Sequence, residues 1–213
     1  MKQVPQPTIE RLITYYRYLE KISVFDEVDY ISSLELGKKV GISAANVRKD
    51  FSHFGEFGCK GVGYHVDNFK RSIKKILGFD REWPMILVGV GNLGSALVNY
   101  RGFRRMGLKF VAAFDCDLNK IGNRIGNLRV RSNKELDDFV QKTGVEMAVL
   151  TVPANEAVDV ANQLVRSGIR GIWNFAPVPI ELNLEEEIIV FSDDISSGLA
   201  SLMYRTKTKS NTE

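Results

Sequence analysis

The chain has 213 residues, 44% hydrophobic and 26% charged, with a net charge of +3 and only two cysteines. Such a composition builds one large or two small folded domains and excludes disordered, collagen-like or disulfide-stapled chains. No apolar run approaches the roughly 20 residues that span a bilayer, and the start, MKQVPQPTIERL, lacks an apolar signal core, so the expectation is a cytoplasmic protein.

In chain order, residues 8–21 (TIERLITYYRYLEK) place Ile9, Leu12, Ile13, Tyr16 and Leu19 at helical spacing, with Thr8 positioned to cap the helix after Pro7. In SSLELGKKVGISAANVRKDFSHFG, Ser33 starts a short helix with Leu34, Leu36 and Val40 inward, and Gly41 ends it. Ser43 caps a second helix running to about Phe54. Two short helices joined by a tight glycine-containing turn form a helix-turn-helix. Val47, Phe51 and Phe54 supply the inner face of the second helix, while Arg48, Lys49 and His53 point outward. The N-terminal part of such a helix meets base edges in the major groove, which makes Ser43, Asn46, Arg48 and Lys49 the candidates. Asp50 and Asp67 are read as orienting neighbouring basic residues.

The glycine-rich stretch GEFGCKGVGYHV alternates Val62, Tyr64 and Val66, as in a small β-hairpin or wing. On it, Lys60 and Tyr64 are placed to reach phosphates or the minor groove. An amphipathic helix follows at 67–77. Residues 38–75 carry 9 Lys and Arg against 3 Asp and Glu, a local excess suited to a surface facing phosphates. A solvated helix face would give the same excess. The winged-helix domain is expected to occupy residues 1–82.

From Met85 the pattern changes to alternating strands (85–90, 109–115, 128–130, 146–152, 171–175, 188–191) and helices near 92–105, 132–143, 155–167 and 194–205. That alternation predicts an α/β, Rossmann-like doubly wound parallel sheet. Gly89, Gly91 and Gly94 form G-x-G-x-x-G directly after a strand and at the start of a helix. The turn Gly89-Val90-Gly91-Asn92-Leu93-Gly94 thus brings backbone N–H groups to a pyrophosphate. Asp115, 21 residues past Gly94, closes the next strand, where a carboxylate accepts hydrogen bonds from both ribose hydroxyls. Its charge disfavours a 2′-phosphate, so NAD(H) is expected over NADP(H). Thr151, Pro153 and Asn174 sit at or just beyond strand carboxyl ends, where ligands bind in open α/β sheets. Two alternatives stand beside this: glycines that only pack, or another nucleotide such as coenzyme A.

Hydride transfer usually needs a general acid or base. The only histidines, His53 and His65, lie in the N-terminal third, and Tyr100-Arg101 lacks Tyr-x-x-x-Lys spacing. No catalytic residue is assigned, and Cys59 and Cys116 show no metal-ligand spacing, so no metal is expected. A cofactor that is sensed is favoured over a small NAD-dependent oxidoreductase whose basic domain only mediates assembly.

Taken as blocks, RLITYYRYLE (11–20), VRKDFSHFGEFGCKGVGY (47–64), VGVGNLGSALVNYRGF (88–103), FDCDLNKIG (114–122), TVP (151–153) and NFAP (174–177) resemble the Rex family of redox-sensing transcriptional repressors across the whole length. The resemblance implies a homodimer that binds a palindromic operator in double-stranded DNA, controls genes of anaerobic and fermentative metabolism, and leaves the DNA when NADH binds, NAD⁺ competing for the site. It implies a cofactor domain at 83–192 and a C-terminal segment, 193–213, whose helix is exchanged between subunits. It places Tyr100 near the nicotinamide, Phe175 along that side of the pocket and Arg48 at the main base contacts. Asp194 would pair with Tyr100 or Arg17 according to state.

Overall fold

The computed structural model describes residues 4–25, 29–55, 58–59, 61–181 and 188–210. They form two compact units, Met1–Arg81 and Glu82–Glu213.

In the first unit, α1 (Gln6–Phe25) turns Leu12, Tyr15, Tyr16 and Leu19 into the core. Thr8 does not cap this helix. It lies inside it, buried, with its hydroxyl on Asp50. The strand β1 (Tyr30–Ile31) leads into α2 (Ser33–Val40), which opens on a capping box: the Ser32 hydroxyl accepts from Glu35 N, and Glu35 accepts from Ser32 N. Both orphan donors are thereby satisfied. Gly41 ends α2 in the left-handed conformation, at φ 73°, and Ser43 caps α3 (Ala44–Ser52) by accepting from Asn46 N.

The expected wing is smaller than its alternation suggests. Among the described residues of that stretch, Tyr64–His65 (β2) is strand, paired antiparallel with β1, Cys59 and Gly63 form one antiparallel bridge, and Val66 already begins α4 (Val66–Ile76). The rings of Tyr15, Phe51, Tyr64 and Phe69 fill the centre of this unit, with Tyr64 stacked on Phe69 at 4.2 Å.

The second unit is a seven-stranded sheet. Its strands are β3 (Trp83–Val88), β4 (Leu108–Asp115), β5 (Arg124–Ile125), β6 (Leu128–Ser132), β7 (Met147–Leu150), β8 (Gly171–Asn174) and β9 (Ile189–Ser192), in the order β5-β6-β4-β3-β7-β8-β9. All neighbours are parallel except the β5–β6 hairpin. Leaving out that hairpin strand, β3, β4 and β6 run one way from the middle and β7, β8 and β9 the other, the doubly wound order with its switch point between β3 and β7.

Because side chains alternate across a strand, Ile86 and Val88 face one cluster and Met85 and Leu87 the other. The first is covered by α7 (Leu136–Thr143) and α8 (Ala154–Ser167). The second is covered by α5 (Asn92–Asn99) and α6 (Gly102–Arg105). The single helix expected over 92–105 is interrupted at Tyr100, whose backbone is extended (ψ 108°). The last helix, α9 (Ile195–Ser210), follows β9. None of the described helices is long and apolar enough to cross a membrane.

Candidate cofactor and nucleic-acid sites

At the switch point the loop after β3 meets the loop after β7. Thr151 N donates to Val88 O (2.9 Å), and the Thr151 hydroxyl to Gly89 O (2.7 Å). Gly89 turns the chain at φ 97°, where an added Cβ would meet Thr151 O at 2.6 Å. A Cβ on Gly94 would collide with the Gly89 carbonyl oxygen. Around Gly91, by contrast, the space is open. The loop therefore packs closely on the sheet at its two ends and leaves its middle accessible at the N-terminus of α5, where N–H groups face any incoming anion. Asn92 and Leu93 form the first turn of that helix.

Asp115 lies beside this loop, almost wholly buried. Its Oδ2 accepts from Val90 N (2.7 Å) and from Lys120 Nζ (3.1 Å), and its Oδ1 from Asp117 N (2.9 Å). Burial alone would raise its pKa, but the Asp117 and Val90 N–H groups and the Lys120 ammonium outweigh that and hold it below the usual carboxylate value. It is thus a fixed anion. A carboxylate offers about four lone-pair positions, so acceptor capacity remains for a hydroxyl. Gly89, Gly91, Asp115, Thr151 and Pro153 share one cavity of about 330 Å³.

The same wall includes Cys116 and four residues that carry no site motif in the sequence, Asp117, Lys120, Asn133 and Glu156. Lys120 had a signal, a basic residue one turn beyond the strand-ending Asp115. Asn133, in the short 3-10 turn after β6, and Glu156, in the first turn of α8, come from other parts of the chain and had none. Among the described residues, no group of three His, Cys, Asp or Glu could hold a metal, and both cysteines are free and exposed.

Asn174 is fully buried with its amide bonded internally: Nδ2 donates to Val178 O (2.9 Å) and Ser192 Oγ (3.1 Å), and Oδ1 accepts from Ala176 N (2.9 Å). It ties the turn after β8 to β9. Phe175 is half-buried against Trp173 at 4.5 Å. Tyr100 is exposed, packs on Phe103 at 4.9 Å, and lines a separate cavity with Phe103 and Phe110. Asp194 is exposed and begins α9: its Oδ1 accepts from Ser196 N (2.8 Å) and Ser196 Oγ (2.6 Å). Those contacts depress its pKa.

In the first unit, the outward residues of α3 are Ala45, Asn46, Arg48, Lys49 and Ser52. Ser43 is exposed at the cap. The Arg48 guanidinium donates to Ser33 Oγ at 2.9 Å, which holds it along a groove of about 780 Å³ between α3 and Gly58, Cys59, Gly61, Val62 and Gly63. Tyr64 is one of the residues lining that groove, its ring largely buried against Phe51 and Phe69. Lys60 lies outside the described residues. Arg17 is exposed on α1. The Asp50 carboxylate is buried against α1, bonded to Thr8, Arg11 and Tyr15 and not directly to Arg48 or Lys49.

Two family models match the chain, one described as "CoA binding domain" over residues 80–178 and one as "Putative DNA-binding protein N-terminus" over residues 3–52. Curated relatives named "Redox-sensing transcriptional repressor Rex" include one from Carboxydothermus hydrogenoformans, 43% identical over 96% of this chain and 97% of its own. Another, from Syntrophobacter fumaroxidans, is 47% identical over 84% of this chain and 86% of its own. A solved structure described as RSP in complex with β-NAD⁺ and operator DNA is 33% identical, with a TM-score of 0.92, covering 100% of this chain and 96% of that one. RSP in complex with β-NADH matches with a TM-score of 0.87 at 32% identity, over 100% of this chain and 98% of that one.

Proposed function

The chain belongs to the Rex family of redox-sensing transcriptional repressors, and on that premise we propose that it converts the NADH/NAD⁺ ratio into occupancy of a palindromic operator. It is a regulator and not an enzyme: NAD(H) is its sensed ligand and double-stranded DNA its target. The observation that carries this reading is the coexistence in one chain of an exposed polar face on α3 with an open glycine loop and a fixed carboxylate at a Rossmann switch point.

NAD(H) would lay its pyrophosphate over the Gly91–Leu93 N–H groups and its adenosine ribose on Asp115, with Thr151 and Pro153 on the opposite wall. When bound it supplies a nicotinamide whose charge and ring shape differ between redox states. On the DNA side, Ser43, Asn46, Arg48 and Lys49 would face the major groove. We assign residues 1–82 to DNA binding, 83–192 to the cofactor and 193–213 to exchange between subunits, in a repressor working in the cytoplasm.

A homodimer is supported by α9, which leaves Ile195, Leu199, Leu202, Met203 and Tyr204 exposed, each by 58% or more. A row of this kind costs free energy in water and marks an interaction surface. Two recognition helices must match half-sites about one DNA turn apart, roughly 34–36 Å, or a multiple of it. A ligand that prefers one arrangement of the domains shifts that spacing, and by linkage weakens DNA binding by the ratio of its affinities for the arrangements.

Tyr100, Arg17 and Asp194 are the proposed switch. Asp194 now caps α9 through Ser196, so pairing with Arg17 or Tyr100 competes with the cap. The test is a mobility-shift titration of a palindromic operator with NADH and NAD⁺. We expect release by NADH, and NAD⁺ to blunt it. Binding indifferent to NADH refutes the reading, and Asp194→Ala with a wild-type NADH response removes Asp194 from the switch.

One observation favours a second ligand, the match to a CoA binding domain. Asp115 opposes it, since a ribose phosphate would meet a held negative charge. Coenzyme A that displaces NADH at equal concentration would reverse that preference.

A further inference from the structure

The recognition helix carries one acid among its inward residues. Asp50 is 1% exposed, and its carboxylate receives four hydrogen bonds, all from α1. Arg11 Nη2 donates to Oδ1 at 2.6 Å and Arg11 Nε to Oδ2 at 2.7 Å. The Tyr15 hydroxyl donates to Oδ2 at 2.8 Å and the Thr8 hydroxyl to Oδ1 at 3.1 Å. Arg11 Nη2 also reaches Thr8 Oγ1 at 3.2 Å, closing the ring. Burial by itself would favour the protonated acid, but the Arg11, Tyr15 and Thr8 donors outweigh it and keep Asp50 ionised.

Stability alone does not call for this arrangement. A buried ion pair is often no better than an apolar pair of the same bulk, because desolvation offsets the attraction. The aromatic core beside it already supplies apolar area. What rings supply poorly is one fixed angle, since they can slide over one another, whereas a bidentate fork fixes position and plane together. Asp50 directly follows Arg48 and Lys49 and lies one helical turn beyond Asn46, so the rotation of α3 about its own axis decides where those three side chains point.

We propose that the Arg11–Asp50 clamp, closed by Tyr15 and Thr8, is a positioning device for sequence readout: it sets the rotation of α3 on α1 and thereby operator specificity. The proposal rests on the DNA-reading role given to α3 above.

The experiment uses the full chain and two duplexes of equal length, a palindrome selected by the wild-type chain from random DNA and a scrambled control. The principal variant is Arg11→Met with Asp50→Leu, which exchanges the ion pair for an apolar pair. Its melting temperature is expected to stay near wild type, while the ratio of palindrome to control affinity falls about tenfold or more, the scale of losing one well-placed base contact. NADH binding and the salt dependence of control binding are expected to be unchanged. Tyr15→Phe, which removes one of four donors, is expected to lower the ratio by about two- to fivefold, the scale of one ordinary net hydrogen bond.

A folded double variant with the wild-type ratio overturns the proposal and leaves the clamp as packing. Should the double variant fail to fold, Tyr15→Phe and Thr8→Val decide, and wild-type ratios in both overturn it equally. Failure of the underlying role is told apart because it needs no variant: the wild-type chain itself would then not prefer its palindrome.

Discussion

The two units bury their interiors in different currencies. The first packs large rings from short helices, with Phe51 touching Tyr15, Tyr64 and Phe69. The second packs mainly aliphatics on one face of a ladder of parallel strands, Ile86, Val88, Ala112, Ala148 and Leu150 against Ala157, Ala161 and Leu164, and keeps its rings, Phe103, Phe110, Trp173 and Phe175, mostly on the other. A hydrogen-bonded sheet fixes its own geometry, so its core can be generic and its ligand loops follow from the strand ends. Short helices have no such ladder, and the angle between them depends on individual side chains.

The largest test of this contrast is Phe69→Ala. Phe69 is 1% exposed and in contact with two other rings, and deleting a buried Phe costs about 3–5 kcal/mol, a large part of a small domain's stability. Both tryptophans, Trp83 and Trp173, lie in the second unit. We expect circular dichroism to show an early loss of helix while the tryptophan fluorescence transition stays in place. A fluorescence transition that moves with it would show that the two units unfold together.

Next in size is Asp115→Ala. Hydrogen bonds to a charged group are worth about 1.5–3 kcal/mol, so NADH affinity should fall roughly 10- to 100-fold. Operator binding without NADH should be unchanged. Equal loss in both assays would mean that Asp115 shapes the fold and not the cofactor.

Acid separates the units in a further way. Asp50 and Asp115 both have depressed pKa values in the folded chain, so each contributes stability that is present above about pH 4, near the unfolded aspartate value. That stability is lost as pH falls through the lower folded value. Asp115 draws part of its support from Lys120, which is 40% exposed, and its share should shrink in salt. Asp50 is held by the better shielded Arg11 and by two hydroxyls. Melting curves between pH 5 and 3 at low and high salt should show the salt effect on the acid limb of the second unit more than the first. Equal salt effects would remove the distinction.

The same contrast explains what was legible in the sequence. The sheet was, because continuous apolar runs such as MILV and the Gly89–Gly94 spacing report buried parallel strands and the loop between them directly. The helix-turn-helix was too, through Gly41, Ser43 and the inward spacing of Val47 and Phe51. The partners of Asp50 were not, since Arg11 and Thr8 lie 39 and 42 residues away and local pattern made Thr8 a cap. Tyr64 alternates like a wing residue, yet the glycines around it let its ring turn inward onto Phe69: a Cβ on Gly58 would meet it at 2.9 Å. Asn174 sits at a strand end, where ligands bind, and the turn it ties is visible only in three dimensions.

The smallest expected effect is also the most controlled, because both units contain the same local device. Ser32 with Glu35 opens α2 in the first, and Ser132 with Glu135 forms a capping box after β6 in the second. Replacing either serine by alanine removes one cap, worth about 1 kcal/mol. The thermal consequence should differ, because 1 kcal/mol moves the midpoint of a 60–100-residue domain by about 4–8 °C and that of a 150–250-residue domain by about 2–4 °C, the shift falling with size. Ser32→Ala is therefore expected to lower the midpoint of the Met1–Arg81 unit by more degrees than Ser132→Ala lowers that of the Glu82–Glu213 unit. The functional consequences should part as well. Ser32 borders the α3 groove and Asn133, next to Ser132, borders the cofactor cavity, so Ser32→Ala should weaken operator binding a few-fold and Ser132→Ala NADH binding. Equal midpoint shifts would mean that the chain melts as one cooperative body whose size, rather than that of either unit, sets the response.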